Sequence, residues 1–282
     1  MRRMRRIRHL ATGTALAAAA LAFWPLVSQA ILVAPHAVFM DHRSRTGQVY
    51  LVNTSDTPEE VTIGLTYGYP ATDSTGTIYI KLVEQPDSTE PSAAGWVKAY
   101  PRRTVLAPGQ RQVVRLLATP PAALPDGEYW SRIIATSRGS RVAVVSGDSG
   151  VSAGLALELR TIISLSYRKG EVHTGLEVTD FRTEQQGDSL LVWLGADRRG
   201  NAAFLGTATF RLLDSAGHPR GEWESPLAVY HALERRYVFP IDSVAPGRYT
   251  LRLDASTART DLDQHNVLPA EPVHRSVELE VR

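Results

Sequence analysis

The 282-residue chain contains no cysteine and only three methionines. Without cysteine, neither a disulfide framework nor a lipid-modified cysteine is available. A protein of this length that is exported must therefore be stabilised by its hydrophobic core, which chains above about 100 residues can form. No apolar run after Val27 is long enough to span a bilayer.

Signatures of the common enzyme classes are also missing. The sequence has no GxSxG elbow, phosphate-binding glycine loop, dinucleotide fingerprint or HExxH pair, and its eight histidines are scattered. We therefore predict a protein that is not an enzyme and that holds no cofactor and no metal.

One tetrapeptide, GDSG at 147–150, matches the nucleophile segment of chymotrypsin-like proteases. Val151 stands where those proteases have a further glycine, and neither His36 nor His42 has the expected sequence context. We interpret the segment as part of a Ser/Gly-rich loop over 137–150, with a protease as the weaker alternative.

The first 30 residues have the composition of a secretory signal. Five arginines precede an apolar stretch from Leu10 to Val27, and small residues occupy the peptidase positions Ser28 and Ala30. We expect cleavage before Ile31; the alternative is an uncleaved anchor helix. Removing five arginines leaves 26 basic residues against 29 acidic ones, a net charge of −3. That balance gives no indication of nucleic-acid binding, and the signal indicates a periplasmic or outer-surface location, of which we expect the periplasm.

Short alternating or β-branched runs separated by turn residues follow along the rest of the chain, and no amphipathic helix is evident. We predict an all-β protein with two immunoglobulin-like sandwich domains, residues 31–168 and 171–282. In the second domain, polar turns are expected around 217–224 and one strand over 229–239. Tyr129 and Tyr249 each follow a Pro/Gly turn, which is typical of a tyrosine corner; each is otherwise explained as a good β-former.

The segment GLALELRTIISLSYRKG carries the longest alternation in the sequence. Every second residue from Leu155 to Tyr167 is apolar except Thr161. This pattern predicts one extended strand of roughly 43 Å, about twice the usual strand length. So long a strand is expected to overhang its own sandwich.

Four segments occur in an order that resembles periplasmic pilus-assembly chaperones of the chaperone–usher systems. They are VAPHAVFMDHRSRTGQVYLVN, VLAPGQRQVVRLL, LPDGEYWSRI and the long strand ending LSYRKG. The resemblance covers about residues 30–170, whereas the second domain matches only in being all-β. It implies a chaperone that caps exported pilin-like subunits and delivers them to an outer-membrane usher.

The resemblance also implies roles for individual residues. Leu155, Leu157 and Leu159 match the alternating apolar positions that fill a client's groove when a strand is added to it. The family's two basic residues, which hold a client's terminal carboxylate, fall here on His36 and Ser164, so we expect a weakened anchor; Arg160 is a candidate substitute. An exposed donor strand is also expected to allow self-dimers.

Glu128 and Arg168 match two members of a buried ionic cluster that fixes the family's domains at an angle. A second-domain aspartate is expected to complete it, with Asp180, Asp242 and Asp254 as candidates. The competing interpretation of the whole chain is a structural or adhesive surface protein, in which the leucine strand lies entirely within the domain's own core.

Overall fold

The computed structural model describes residues 31–138, 142–145, 152–155 and 158–282. The predicted signal, the GDSG tetrapeptide and Leu157 lie outside these residues. Within them the chain is all-β, as predicted, with a single 3-10 turn at Gln264–Asn266. No helix in the described part has the length and apolarity needed to cross a membrane.

The first sandwich contains two main sheets. Its strands are β1 (Ile31–Ala34), β2 (Ala37–Asp41), β3 (Thr46–Asn53), β4 (Glu59–Thr72), β5 (Ile78–Val83), β6 (Val97–Tyr100), β7 (Arg103–Leu106), β8 (Arg111–Ala118), β9 (Gly127–Arg138), β10 (Val142–Val145), β11 (Ser152–Leu155) and β12 (Glu158–Lys169). One sheet has the order β1-β3-β8-β6 and the other β2-β12-β9-β4-β5, with β7 also on β4. Strands β10 and β11 form a separate hairpin.

The second sandwich packs a three-stranded sheet, β13-β14-β17, against a four-stranded one, β16-β15-β18-β19. Its strands are β13 (Thr174–Gln186), β14 (Ser189–Gly200), β15 (Phe204–Asp214), β16 (Pro219–Val229), β17 (Ala232–Pro240), β18 (Gly247–Ser256) and β19 (Val273–Val281).

Strand alternation explains each core. In β8, for example, Val114, Leu116 and Ala118 are buried while Arg111 and Arg115 face solvent. Each sandwich has its own apolar cluster. A third, smaller cluster joins Tyr67 and Trp130 of the first sandwich to residues Ala203 and Tyr230 of the second.

Both predicted tyrosine corners are confirmed. The Tyr129 hydroxyl donates to the carbonyl of Pro125 at 2.9 Å, and the Tyr249 hydroxyl donates to the carbonyl of Ala245 at 2.7 Å. Each bond spans four residues and fixes the entry to the following strand.

Three local predictions are wrong. Residues 217–224 are largely strand, because β16 places its polar residues on an exposed side while Trp223 stacks on Phe239 with ring centroids 4.6 Å apart. The run 229–239 is broken at Tyr230 and His231, between β16 and β17. The expected loop over 137–150 contains the end of β9 and all of β10.

Candidate functional site

Strand β12 has an edge that is only partly covered. Over its whole length it pairs with β9, from Glu158↔Arg138 to Lys169↔Gly127. On its other side it pairs in parallel with β2, but only from Ser164 onward. Between Glu158 and Ile163 this edge has no strand partner among the described residues.

The hydrogen-bond pattern identifies which backbone groups this uncovered edge presents. The N–H of Ser164 donates to the carbonyl of His36 at 3.2 Å, so even-numbered residues of β12 direct their backbone groups to that side. Glu158, Arg160 and Ile162 therefore present their N–H and C=O groups to solvent there. Such an edge is a template for another strand. We call Glu158–Ile163 the free edge.

Side chains on the core face of β12 change from buried to exposed along the strand. Ile163, Leu165 and Tyr167 lie in the core of the first sandwich, at 0–4% exposure. Thr161 is half-buried, and Leu159 is 38% exposed. The opposite sheet thus covers the end of β12 near the second domain and leaves the Leu159 end uncovered.

The predicted continuous strand from Leu155 to Tyr167 crosses 156–157, which lie outside the described residues, so its continuity stays a prediction. Leu155 ends β11 and pairs with Val142, whereas β12 begins at Glu158, which pairs with Arg138. These two pairings differ in register by one residue.

His36 and Ser164 lie together at the point where β2 joins β12. Besides the backbone bond, the hydroxyl of Ser164 lies 3.5 Å from the His36 carbonyl. Arg160 is not brought to them: four residues along a strand is about 13 Å, and its guanidinium donates to Glu158 at 2.8 Å. Hydrogen bonds from Arg138 and Arg160 lower the pKa of Glu158.

A second-domain loop reaches the same place, which sequence reasoning missed. Nε2 of His36 lies 3.5 Å from Oδ2 of Asp261. Arg259, whose side chain is 11% exposed, donates to both carboxylate oxygens of Asp261, at 2.6 and 2.5 Å. These bonds, with a smaller contribution from His36, lower the pKa of Asp261 to about 2. Only the fold brings this loop, between β18 and β19, beside β2, and no sequence motif indicates it.

Glu128 and Arg168 form a buried ion pair between the sandwiches. Nε of Arg168 donates to Oε2 of Glu128 at 2.6 Å, and the Glu128 side chain is fully buried. The other carboxylate oxygen accepts from the Trp130 indole at 2.7 Å and from the backbone N–H of Ala203 at 3.3 Å. Arg168 also donates to the carbonyl of Asn266 at 2.8 Å.

None of the three candidate aspartates completes this pair. Asp180 accepts from Arg182, and Asp254 accepts from Arg211, Arg252 and His274. No contact joins Asp242 to Glu128 or Arg168 among the described residues. The second domain contributes backbone groups, Ala203 N–H and Asn266 C=O, in place of the expected carboxylate.

The described residues contain no group of three or more histidine, cysteine or carboxylate side chains that could hold a metal ion. A cavity of about 550 Å³ lies between the sandwiches and is lined in part by Glu90, Glu128 and Arg198.

The chain is similar in structure to chaperones of chaperone–usher pili, at low sequence identity. The YadV chaperone matches with 14% identity and a TM-score of 0.43, over 89% of this chain and all of that one. CsuC, in its pre-assembly complex with the tip adhesion subunit CsuE of Acinetobacter baumannii, matches with 13% identity and a TM-score of 0.45, over 86% and 97%. The CupB2 chaperone of Pseudomonas aeruginosa matches with 11% identity and a TM-score of 0.41, over 89% and 100%.

No family model matches the sequence, and no curated protein matches it either. At these identities and TM-scores the structural likeness assigns no role to any residue. The architecture itself defines the class: a protein of two immunoglobulin-like sandwiches in which one strand near the domain boundary keeps a free edge.

Proposed function

We propose that this protein is a periplasmic chaperone that caps an exported, pilin-like subunit by adding the free edge of β12 to the subunit's open sheet. The observation that carries this proposal is that the edge of β12 away from β9 has no strand partner between Glu158 and Ile163 among the described residues, while Leu159, on the core face, is exposed. Backbone hydrogen bonds supply affinity in such strand addition, and alternate side chains supply fit.

The apolar contribution to client binding comes from the core face. Because Leu159 is 38% exposed, burying the rest of its side chain in a client's groove is worth about 0.6–1.1 kcal/mol before the costs of association. Leu155 and Leu157 remain proposed donors next to it, on the segment that precedes β12. A client covered in this way no longer offers its own unpaired strand for aggregation.

β2 also determines where an added strand stops. Because β2 occupies the edge from Ser164 onward, a client strand running parallel to β12 ends opposite His36. We propose that the client's terminal carboxylate is bound there by Arg259, which supplies the permanent positive charge that His36 and Ser164 lack. Asp261 is bound to Arg259 in the free protein and would exchange with that carboxylate.

The test uses the backbone of Ile162, whose N–H lies on the free edge. Ile162→Pro removes this donor and leaves the ladder with β9 intact, since proline is tolerated at a solvent-facing edge position. Ile162→Ala is the matched control, because it removes more of the side chain than the proline substitution does but keeps the backbone N–H. Both variants are tagged and used to pull down clients from the native periplasm, with mass spectrometry as the readout.

The proposal requires that the alanine variant retains a small secreted β-rich protein and that a folded proline variant loses it. Equal capture by the two variants contradicts strand addition. Failure of the wild-type protein to capture any such subunit favours the alternative, a structural or adhesive surface protein that uses no free strand.

Delivery to an outer-membrane usher needs a surface that stays uncovered while a client is bound. The outer face of the β1-β3-β8-β6 sheet offers one: Tyr50 and Val113 are directly paired across strands and Leu32 lies beside them, at 38–48% exposure. We propose that this face contacts the usher. Tyr50→Glu is expected to retain client capture and to lose association of the loaded chaperone with the outer-membrane fraction.

A further inference from the structure

From Ile78 to Leu82, strand β5 is exposed on both faces, and along one edge it has no strand partner among the described residues; Val83, at its end, packs against the third apolar cluster. Its only strand partner among the described residues is β4. Ile78, Tyr79, Ile80 and Leu82 are 38–47% exposed although they alternate between the two faces. A strand of an antiparallel sheet normally buries one face. Lys81 is the one charged residue in this strand, IYIKLV.

Backbone groups of β5 are available for pairing along that edge. The N–H of Asp73 donates to the carbonyl of Thr77, so Asp73 and Thr77 form a hydrogen-bonded pair at the hairpin turn. Hydrogen-bonded and non-bonded pairs alternate along the ladder from there. Ile78, Ile80 and Leu82 therefore direct their N–H and C=O groups away from β4. Pro70, which has no N–H, stands opposite Ile80, in agreement with this pattern.

We propose that β5 pairs antiparallel with β5 of a second copy of this chain, which joins the two six-stranded sheets across a two-fold axis. The strand contains no proline, and its free backbone groups are complementary to those of an identical strand. This interface lies at the opposite edge of the sheet from β12, so the free edge stays open in both copies.

Lys81 determines the register in which the two copies of β5 pair. A two-fold axis perpendicular to the sheet pairs each residue with one whose side chain lies on the same face of the sheet. With the axis at Ile80, Ile80 faces its copy, Ile78 faces Leu82, and Lys81 faces Tyr79, where a cation–π contact can form. With the axis at Lys81, two lysines oppose each other in a non-hydrogen-bonded pair, which is unfavourable. The Ile80-centred register is therefore preferred.

The first test is the mass of the protein, purified from the periplasm, over a concentration series in sedimentation or light scattering. A dimer is expected for the wild type and a monomer for Ile80→Lys, which places two charges directly opposite each other. Val238→Lys is the matched control, because Val238 is 54% exposed on β17. It is expected to leave the dimer intact.

The absence of native cysteine allows a second test of the register. In the Ile80-centred pair the two Ile80 Cα atoms lie about 5.5 Å apart, within disulfide range, whereas the two Ile78 Cα atoms are offset by about 13 Å. Mild oxidation is expected to link Ile80→Cys into a covalent dimer and to leave Ile78→Cys largely unlinked.

Three results overturn the proposal. One is a wild type that stays monomeric at all concentrations. Another is a dimer that survives Ile80→Lys but is lost on Ile162→Pro, which locates the contact at β12 instead. The third is equal linking of the two cysteine variants. These outcomes are independent of client capture, because none of the altered β5 residues lies on the free edge.

Discussion

Nε of Arg168 and Oε2 of Glu128 are 2.6 Å apart, in a pair that links the last strand of the first sandwich to the domain boundary. Removing the carboxylate leaves the Arg168 cation without its partner at a site where its side chain is 15% exposed. Glu128→Gln is therefore expected to lower the free energy of unfolding by about 3–5 kcal/mol. Urea denaturation followed by circular dichroism measures this loss.

The matched control is Glu60→Gln. Glu60 pairs with Arg103 at 2.7 Å, but on an exposed strand surface, and such pairs contribute little. A loss for Glu128→Gln no larger than for Glu60→Gln would show that the buried pair does not hold the domains together.

Leu159→Glu is expected to abolish client capture without unfolding the protein. The carboxylate can remain in solvent in the free chaperone, because Leu159 is already 38% exposed, but it has to be buried without a partner in the complex. The measurement pairs the client pull-down with the thermal midpoint. If the leucine strand served only its own core, the substitution would lower the midpoint strongly.

Leu32→Glu is the control for that experiment, since Leu32 is an exposed leucine on the other sheet, at 45%. It carries the same change in charge and volume and is expected to retain the client.

Asp261→Asn is expected to slow client release, because it frees Arg259 from a competing carboxylate. Arg259→Gln is expected to speed release, because it removes the charge that a client carboxylate would contact. The dissociation rate of the purified client complex, measured by surface plasmon resonance, checks both. Rates that move together, or do not move, contradict the proposed exchange but leave strand addition untouched.

The free energy of unfolding is expected to fall on acidification, because His231 is protonated less readily in the folded protein than in the unfolded chain. Its Nε2 lies 3.1 Å from the Tyr67 hydroxyl and 3.5 Å from a Glu90 oxygen, across the domain boundary. Burial lowers the pKa of His231 below 6.5 and outweighs the opposing effect of Glu90. Below about pH 6.5 the unfolded chain binds a proton that the folded protein takes up only at lower pH, so acidification favours unfolding. Above that pH the contribution is constant.

The urea midpoint of wild-type protein is compared at pH 7.5 and pH 5.5 with that of His231→Asn. A smaller drop in the variant is the expected result. His265→Asn is the control, because the His265 side chain is 95% exposed. An unchanged drop in the His231 variant would assign the acid sensitivity to other groups.

Local patterns predicted much of the fold. Alternation located β8 and β9, and the turn-plus-tyrosine segments located both corners, because in each case neighbouring residues determine the structure. β16 was missed because its polar residues belong to an exposed side, which composition alone does not separate from a turn. The difference in register between the β10–β11 and β9–β12 pairings was not predicted, because register depends on the partner strand.

Only the part of the site that lies in the first domain's own sequence motifs was predicted. His36, Ser164, Glu128 and Arg168 lie in segments that carry the family resemblance, and the structure brings them into two pairs. Arg259 and Asp261 belong to a second-domain loop whose position depends on how the two sandwiches meet. For the same reason, the sequence could not show that backbone groups of Asn266 and Ala203 take the place of the expected aspartate.

If β12 adds to a client strand as proposed, the junction of β2 with β12 at Ser164 fixes one end of the segment that the client can pair with. Six described residues, Glu158–Ile163, precede this junction on the uncovered edge, a length of roughly 20 Å. A ladder this short has few hydrogen bonds to break, so it can be replaced from one end, residue by residue, by a longer incoming strand. Under the proposed function, client release by such stepwise displacement would require only a longer competing strand.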